Sequence, residues 1–323
     1  MSSLPPLRFL PIYRRAIWGG RRLETVMGKK LGPGDDFSES WEIVDHGKDQ
    51  SVVDTGPLHG RSLSQLVTQH GIELLGTHAS QKHFPLLFKF LDAHRSLSVQ
   101  VHPDDAAAAL LDRPDLGKTE AWVVVHAEPG SVVYAGLKHG FDRAALQREV
   151  NRGTTELCLH RIEPKVGDCI FIPAGVVHAL GAGLVVAEIQ QASDTTFRLF
   201  DWNRLGADGK PRALHIQQAM ETIDYDIGPI FPQQPQPTDR GHVQRLVDCD
   251  KFVLERWQFN RPQTITPDQR CHILSVLLGE VQISGAATLE SLKRGETILL
   301  PASCSEMLLS PKGEAIMLDM TMP

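Results

Sequence analysis

Two stretches of this chain follow one pattern, and that repeat restricts the fold more than any other feature. Gly167-Asp-Cys-Ile-Phe-Ile-Pro173-Ala-Gly175-Val-Val-His178 has the form G-x5-P-x-G-x2-H. Gly295-Glu-Thr-Ile-Leu-Leu-Pro301-Ala-Ser303-Cys-Ser-Glu306 repeats it, with Ser for the second Gly and Glu for the His. In both, an apolar strand-like run lies between the Gly and the Pro, and the Pro ends it. The same unit occurring twice in the chain predicts two similar β-barrels.

The rest of the chain suits that expectation. Short apolar runs recur between Gly and Pro turns, as in a sandwich or barrel. Strands are predicted at 40–44, 51–54, 84–91, 97–102, 118–125, 131–134, 157–162, 169–172, 176–180, 184–190 and 195–200. In the second half they are predicted at 252–259, 273–278, 281–284, 297–300 and 315–319. Ala16-Ile-Trp-Gly-Gly20 and Gly32-Pro-Gly34 read as turns. A capping box at Ser62-Leu-Ser-Gln65 starts a helix that runs to about Leu75. Further helices are expected at 103–111, at 142–151 between Asp142 and Gly153, and at 215–223. The Pro- and Gln-rich segment 228–241 reads as a linker. This gives a mainly β fold, with a first domain at 1–235 and a second at 236–323.

Side chains two apart on a strand share a face. In Leu97-Ser-Val-Gln-Val-His102, the residues Leu97, Val99 and Val101 therefore point one way, and Ser98, Gln100 and His102 the other. Four charges also stand in or beside apolar strands: Lys89, Lys118, Glu188 and Arg198. Such charges are costly unless paired or used. They read either as a structural ion pair of Lys89 with Glu188 or as a cationic pocket for an anionic, oxygen-rich ligand.

Composition excludes several alternatives. A net charge of −6 without a basic block argues against a nucleic-acid surface. No apolar run reaches transmembrane length, and the first residues lack the pattern of a signal peptide, so a cytoplasmic protein is expected. The five cysteines are odd in number and form no C-x-x-C pair, which predicts reduced thiols.

The Gly167–His178 pattern resembles the second signature motif of the cupin superfamily, although its usual final Asn is replaced by Gly181. The matching first motif is Gln100-Val-His102 with Glu120 following, so Gln takes the place of one His. The Pro-x-Gly turn would aim His178 towards the strand carrying Gln100 and His102. The metal ligands implied are Gln100, His102, Glu120 and His178. Two imidazoles, a carboxylate and a carboxamide oxygen suit a borderline divalent metal, by default one Zn2+ per chain, with other divalent ions possible. The second barrel has Glu306 for the His and a solitary His272, and reads as structural and metal-free.

A longer string of motifs resembles the type I phosphomannose isomerases in their short bacterial form. It comprises Ala16–Gly20, Phe84–Lys89, Leu97–Asp105, Gly117–Trp122, Ile172–Leu180, Glu188–Arg198, Asp201–Arg204 and Gly209–His215. The resemblance implies interconversion of mannose 6-phosphate and fructose 6-phosphate through a cis-enediol. It implies a pocket using Ser98, Lys89, Lys118, Glu188 and Arg198, in which Arg198, Glu188 and Lys118 are assigned here to catalysis and Ser98 and Lys89 to substrate binding. It also implies a shortened helical insertion, at about 203–235. Two rivals are an iron-dependent cupin oxygenase and a non-catalytic sugar-phosphate-binding cupin. The oxygenase gives no reason for Lys89, Lys118 and Arg198. The sequence leaves monomer and homodimer both open, with a sugar phosphate as the expected small-molecule partner.

Overall fold

The strands pair into two jelly-roll barrels, each closed by one large and one small sheet. The computed structural model describes residues 3–206, 209–285 and 288–323. In the first barrel the large sheet runs β1 (Ile12–Gly20), β2 (Phe37–Ile43), β5 (Leu86–Ala93), β12 (Leu184–Gln191), β7 (Glu120–Ala127) and β10 (Cys169–Ile172). The facing sheet runs β13 (Phe197–Phe200), β6 (Val99–Val101), β11 (His178–Leu180), β8 (Val133–Leu137) and β9 (Leu159–Ile162). A two-stranded ribbon, β3 (Asp45–His46) with β4 (Asp49–Gln50), follows β2. All these pairings are antiparallel. The second barrel, from Gln236 onward, repeats the plan with a six-stranded and a four-stranded sheet.

The two large sheets lie back to back, which explains why Phe84–Leu91 is almost continuously apolar. Phe88 and Phe90 face outward, into a cluster shared with Leu254, Ile273, Leu318 and Met320 of the second barrel. Leu91 faces the first barrel's interior, with Trp122, Ile170 and Leu184. A strand buried on both faces loses the usual alternation, so Lys89, alternating with the two phenylalanines, points inward. The helix Leu63–Leu75 packs on the shared cluster through Leu63, Leu66, Val67, Leu74 and Leu75. Its start is fixed by the capping box: Gln65 N donates to Ser62 Oγ, and Ser62 N donates to Gln65 Oε1. Near the chain's start, Leu7 exchanges backbone hydrogen bonds with Leu299, at 2.8 and 2.9 Å.

Several expectations change, among them the strand at 51–54, which reduces to isolated bridges at Val52 and Val53. Ala16–Gly20 is no turn but the end of β1, which is bulged against β2. Its glycine signal comes from close packing: a Cβ on Gly19 would stand 2.5 Å from the Asp36 carbonyl oxygen. The helix expected over 103–111 is only Asp105–Ala108, capped by Asp104. Within the linker, Gln236–Pro237 pairs with the Val243–Asp248 strand. The five thiols are all unpaired, and burial pushes Cys169 and Cys271 up to about 12.

Candidate active site and metal centre

Strand register brings the singled-out residues together. On the small sheet, Gln100 of β6 lies opposite His178 of β11 on one side and Arg198 of β13 on the other. On the large sheet, Glu188 of β12 lies opposite Lys89 of β5 and Trp122 of β7. Directly opposed residues of antiparallel strands share a face, so two polar rows confront each other across the barrel. Between them is a cavity of about 310 Å³. Its lining includes Ser98, Gln100, Lys118, Glu120, His178 and Glu188. Lys89 and Arg198 line it too. His102 lies just behind, in contact with the same groups.

At the cavity floor, His102, Glu120 and His178 present ligand atoms that all lie within 4.8 Å of one another. Glu120 Oε1 is 3.2 Å from His178 Nε2, and Glu120 Oε2 is 3.6 Å from His102 Nε2. Each residue is about 1% exposed, a degree of burial that makes a charged carboxylate costly without compensation. Both imidazoles have their outer nitrogen engaged: His102 Nδ1 meets the Thr195 carbonyl and His178 Nδ1 the Val176 carbonyl, each at 2.9 Å. With Nδ1–H donating outward, each Nε2 carries its lone pair into the cluster, as a metal ligand requires. Burial holds both rings neutral, pushing His178 down to about 4 and His102 well below its ordinary value.

The donor set fits a divalent cation. Both carboxylate oxygens of Glu120 are buried and accept no hydrogen bond among the described residues, although Lys118 Nζ lies 3.0 Å from Oε2 as an ion-pair partner. Lys118 Nζ is also 3.1 Å from His102 Nε2. Gln100 lies 3.4 Å from His178 Nε2 through its amide nitrogen, and its Oε1 accepts from Ser98 Oγ at 3.1 Å. Rotating that amide by half a turn brings its oxygen into the cluster without moving the backbone.

Around the floor, charges sort into two groups. Lys89 lies 3.2 Å from Glu188 and 3.1 Å from Glu39. Burial opposes its charge, but the two glutamates outweigh it and raise its pKa. Burial also raises the pKa of Glu188, against the pull of Lys89, and its Oε2 accepts from Trp122 Nε1 at 3.0 Å. Arg198 has no acidic partner among the described residues. It donates to Ser98 Oγ at 3.3 Å and to the Ala213 carbonyl at 2.9 Å. Burial and the nearby Arg212 lower its pKa. Arg212 lines the same cavity and is held by Asp201 at 2.8 Å. A mouth with unneutralised guanidinium charge attracts anions.

The larger hollow of about 1050 Å³ shares none of these residues. Three of its cations, Arg8, Lys29 and Lys312, are paired with Glu290, Glu42 and Glu280.

Residues 7–120 match the profile of the phosphomannose isomerase type I catalytic domain, and residues 242–319 that of the mannose-6-phosphate isomerase cupin domain. The chain is 33% identical to mannose-6-phosphate isomerase ManA of Bacillus subtilis, over 96% of this chain and 98% of the relative. It is 34% identical to mannose-6-phosphate isomerase of Streptococcus mutans, over 92% of both chains. The crystal structure of the mannose 6-phosphate isomerase from Bacillus subtilis superposes with a TM-score of 0.90 at 29% identity, covering 98% of this chain and 99% of that one. The chain belongs to the type I phosphomannose isomerase family.

For a phosphomannose isomerase, the cavity holds residues that the sequence did not single out: Glu39, Asp194, Thr196 and Arg212. Glu39 sits in Phe37-Ser-Glu-Ser-Trp-Glu-Ile43, where nothing local separates it from a surface charge. Arg212 falls within Gly209–His215, a segment that the family resemblance marks without giving it a role.

In the second barrel His272 has, among the described residues, no second histidine beside it but two acidic partners. His272 is opposite Leu300, just before Pro301, as Glu120 is opposite Ile172, just before Pro173. His272 thus occupies Glu120's place, and Asp319, opposite Leu274, occupies that of Glu188. His272 Nδ1 lies 2.8 Å from Asp319 and Nε2 3.1 Å from Asp268. Both ring nitrogens are committed to carboxylates, a closed arrangement unlike the floor of the first barrel.

Proposed function

We propose that this chain interconverts mannose 6-phosphate and fructose 6-phosphate, using one zinc ion held by Gln100, His102, Glu120 and His178. The observation that carries the reading is the buried His102–Glu120–His178 cluster beside a cavity that Arg198, without an acidic partner among the described residues, also lines. A metal and a cationic mouth in one small cavity suit a ligand with vicinal oxygens at one end and a phosphate at the other. The names of the relatives support the same substrate pair.

A divalent metal held there would supply Lewis-acid polarisation of substrate oxygens. The chain's own residues supply the rest. Isomerisation moves a proton between carbons 1 and 2. Glu188, whose carboxylate burial makes a stronger base, is the group that takes the proton from one carbon and returns it to the other. Lys118, at the edge of the cluster, places a positive charge where negative charge develops on the substrate oxygens. Arg198 binds and neutralises substrate charge, and Ser98, hydrogen-bonded to both Arg198 and Gln100, fixes its direction. Lys89, shared by Glu39 and Glu188, orients the carboxylate that moves the proton.

Three further assignments complete the proposal. The catalytic unit comprises residues 1–235 and the second barrel 236–323. The protein works in the cytoplasm, where its thiols stay reduced. It acts as a monomer or homodimer.

A coupled assay on mannose 6-phosphate, with and without a chelator, tests the proposal. Turnover that chelation abolishes and zinc restores is expected. A metal-loaded protein that turns over no mannose 6-phosphate overturns it, and oxygen consumption with added iron would replace it by an oxygenase.

A further inference from the structure

Pro103-Asp104-Asp105, which follows the Ser98–His102 face, has in the sequence no role beyond starting a helix. Asp104 takes that role alone, accepting from Ala107 N at 2.8 Å. Asp105 turns its carboxylate away from the helix. Its Oδ1 accepts from Gly117 N and from Gln191 Nε2, each at 2.8 Å, and its Oδ2 lies 2.8 Å from Lys251 Nζ.

Those partners lead to the cavity floor. Gly117-Lys118-Thr119 runs directly into Glu120, and all three backbone N–H groups are tied to this assembly. Gly117 N donates to Asp105 and Lys118 N to the Pro103 carbonyl at 2.9 Å. Thr119 N donates to Gln191 Oε1 at 3.1 Å, the amide whose nitrogen Asp105 holds. The approach is so close that a Cβ on Gly117 would stand 2.5 Å from the Asp104 carbonyl carbon, so only glycine fits. Asp105 thus clamps the segment carrying Lys118 and Glu120 against the turn after His102 and the end of β12. Lys251 comes from the second barrel, between its strands Val243–Asp248 and Val253–Phe259.

We infer that Asp105 is a positioning residue for Lys118 and Glu120, and that Lys251 completes its site, so that the second barrel sets the geometry of the first barrel's metal cluster. For its kinetic arm this rests on the isomerase reading; its metal-binding arm does not. The second barrel then has a part in the chemistry without holding a ligand or touching the substrate.

Asp105→Ala, Asp105→Asn and Lys251→Met are compared with Arg256→Met. Arg256 makes another contact between the barrels, donating to the Gly167 carbonyl at 2.8 Å, at a turn away from the cavity. Each purified full-length variant is loaded with zinc and titrated with a chelator, and the zinc retained is measured by mass spectrometry. Asp105→Ala and Lys251→Met should release zinc at about tenfold lower chelator concentration than wild type. They should also lower kcat with KM little changed, because Arg198 is untouched. Asp105→Asn, which keeps the acceptor for Gly117, should recover retention relative to Asp105→Ala. Arg256→Met should match wild type in both readouts. Asp105→Ala and Lys251→Met that retain zinc and turn over like Arg256→Met overturn the inference. If Asp105→Ala does not fold, Lys251→Met decides alone. Altered retention in a protein that never isomerises mannose 6-phosphate upholds the inference and sinks the isomerase reading.

Discussion

Lys89 and Glu188 face each other from adjacent strands, Nζ 3.2 Å from Oε1, with both side chains nearly inaccessible to solvent. Glu39 approaches the same ammonium at 3.1 Å. Two carboxylates therefore share one cation, and removing it leaves like charges buried together. Lys89→Met should destabilise the fold by about 3–5 kcal/mol, as for other broken buried pairs. Urea unfolding at neutral pH measures it. A loss below about 1 kcal/mol would show that the pair contributes no more than an exposed one.

Glu188→Gln keeps the shape of the side chain and an acceptor for Trp122 but removes the group proposed to move the proton. Its fold and zinc content should match wild type, while exchange of the carbon-2 proton with solvent and turnover both collapse. Normal exchange at carbon 2 in this variant removes Glu188 from the role.

Arg198 carries charge at the mouth without an acidic partner among the described residues, so its substitution frees no buried carboxylate. Arg198→Ala should therefore fold normally and lose on the order of 10²-fold in kcat/KM, the scale of a lost electrostatic contact to the reacting substrate. Full turnover in steady-state kinetics would remove it from the mechanism.

In the second barrel, Asp319 and Asp268 together raise His272 to about 10 against the effect of burial. A folded-state pKa above the unfolded value near 6.5 means that the folded protein holds this proton more tightly. The resulting stabilisation is fully present below about pH 6.5, declines as pH rises, and is gone above the folded value. The stability gap between wild type and His272→Gln, from thermal or urea unfolding, should shrink steadily from pH 6.5 to 10. A constant gap across that window contradicts a protonated His272.

How much of this was legible in the sequence depends on whether the physical signal was local. The Gly167 and Gly295 repeat announced two barrels because strand, Pro and turn are adjacent in the chain. Ser98, Gln100 and His102 showed their common face through alternation alone, and Lys89 stood out as a charge among apolar neighbours. Glu39 did not, because its significance lies in Lys89, which only the β2–β5 pairing brings near. The Ala16–Gly20 glycines read as a turn, whereas Gly19 serves close packing against Asp36 and Phe37 and Gly20 against Asp92 and His94, which no neighbour in sequence reveals. Pro103–Ala108 carried helix signals that were correct for Asp104, whereas Gly117, Gln191 and Lys251 claim the Asp105 carboxylate, which no neighbour in sequence reveals.

The central claim is that a metal at His102, Glu120 and His178 makes this cavity an isomerase for phosphorylated mannose. The most direct measurement follows mannose 6-phosphate by NMR with three samples: zinc-loaded protein, chelated protein, and zinc-loaded Glu120→Gln. Fructose 6-phosphate should accumulate to equilibrium in the first sample alone. No fructose 6-phosphate in the zinc-loaded sample, or equal rates in all three, would contradict the account.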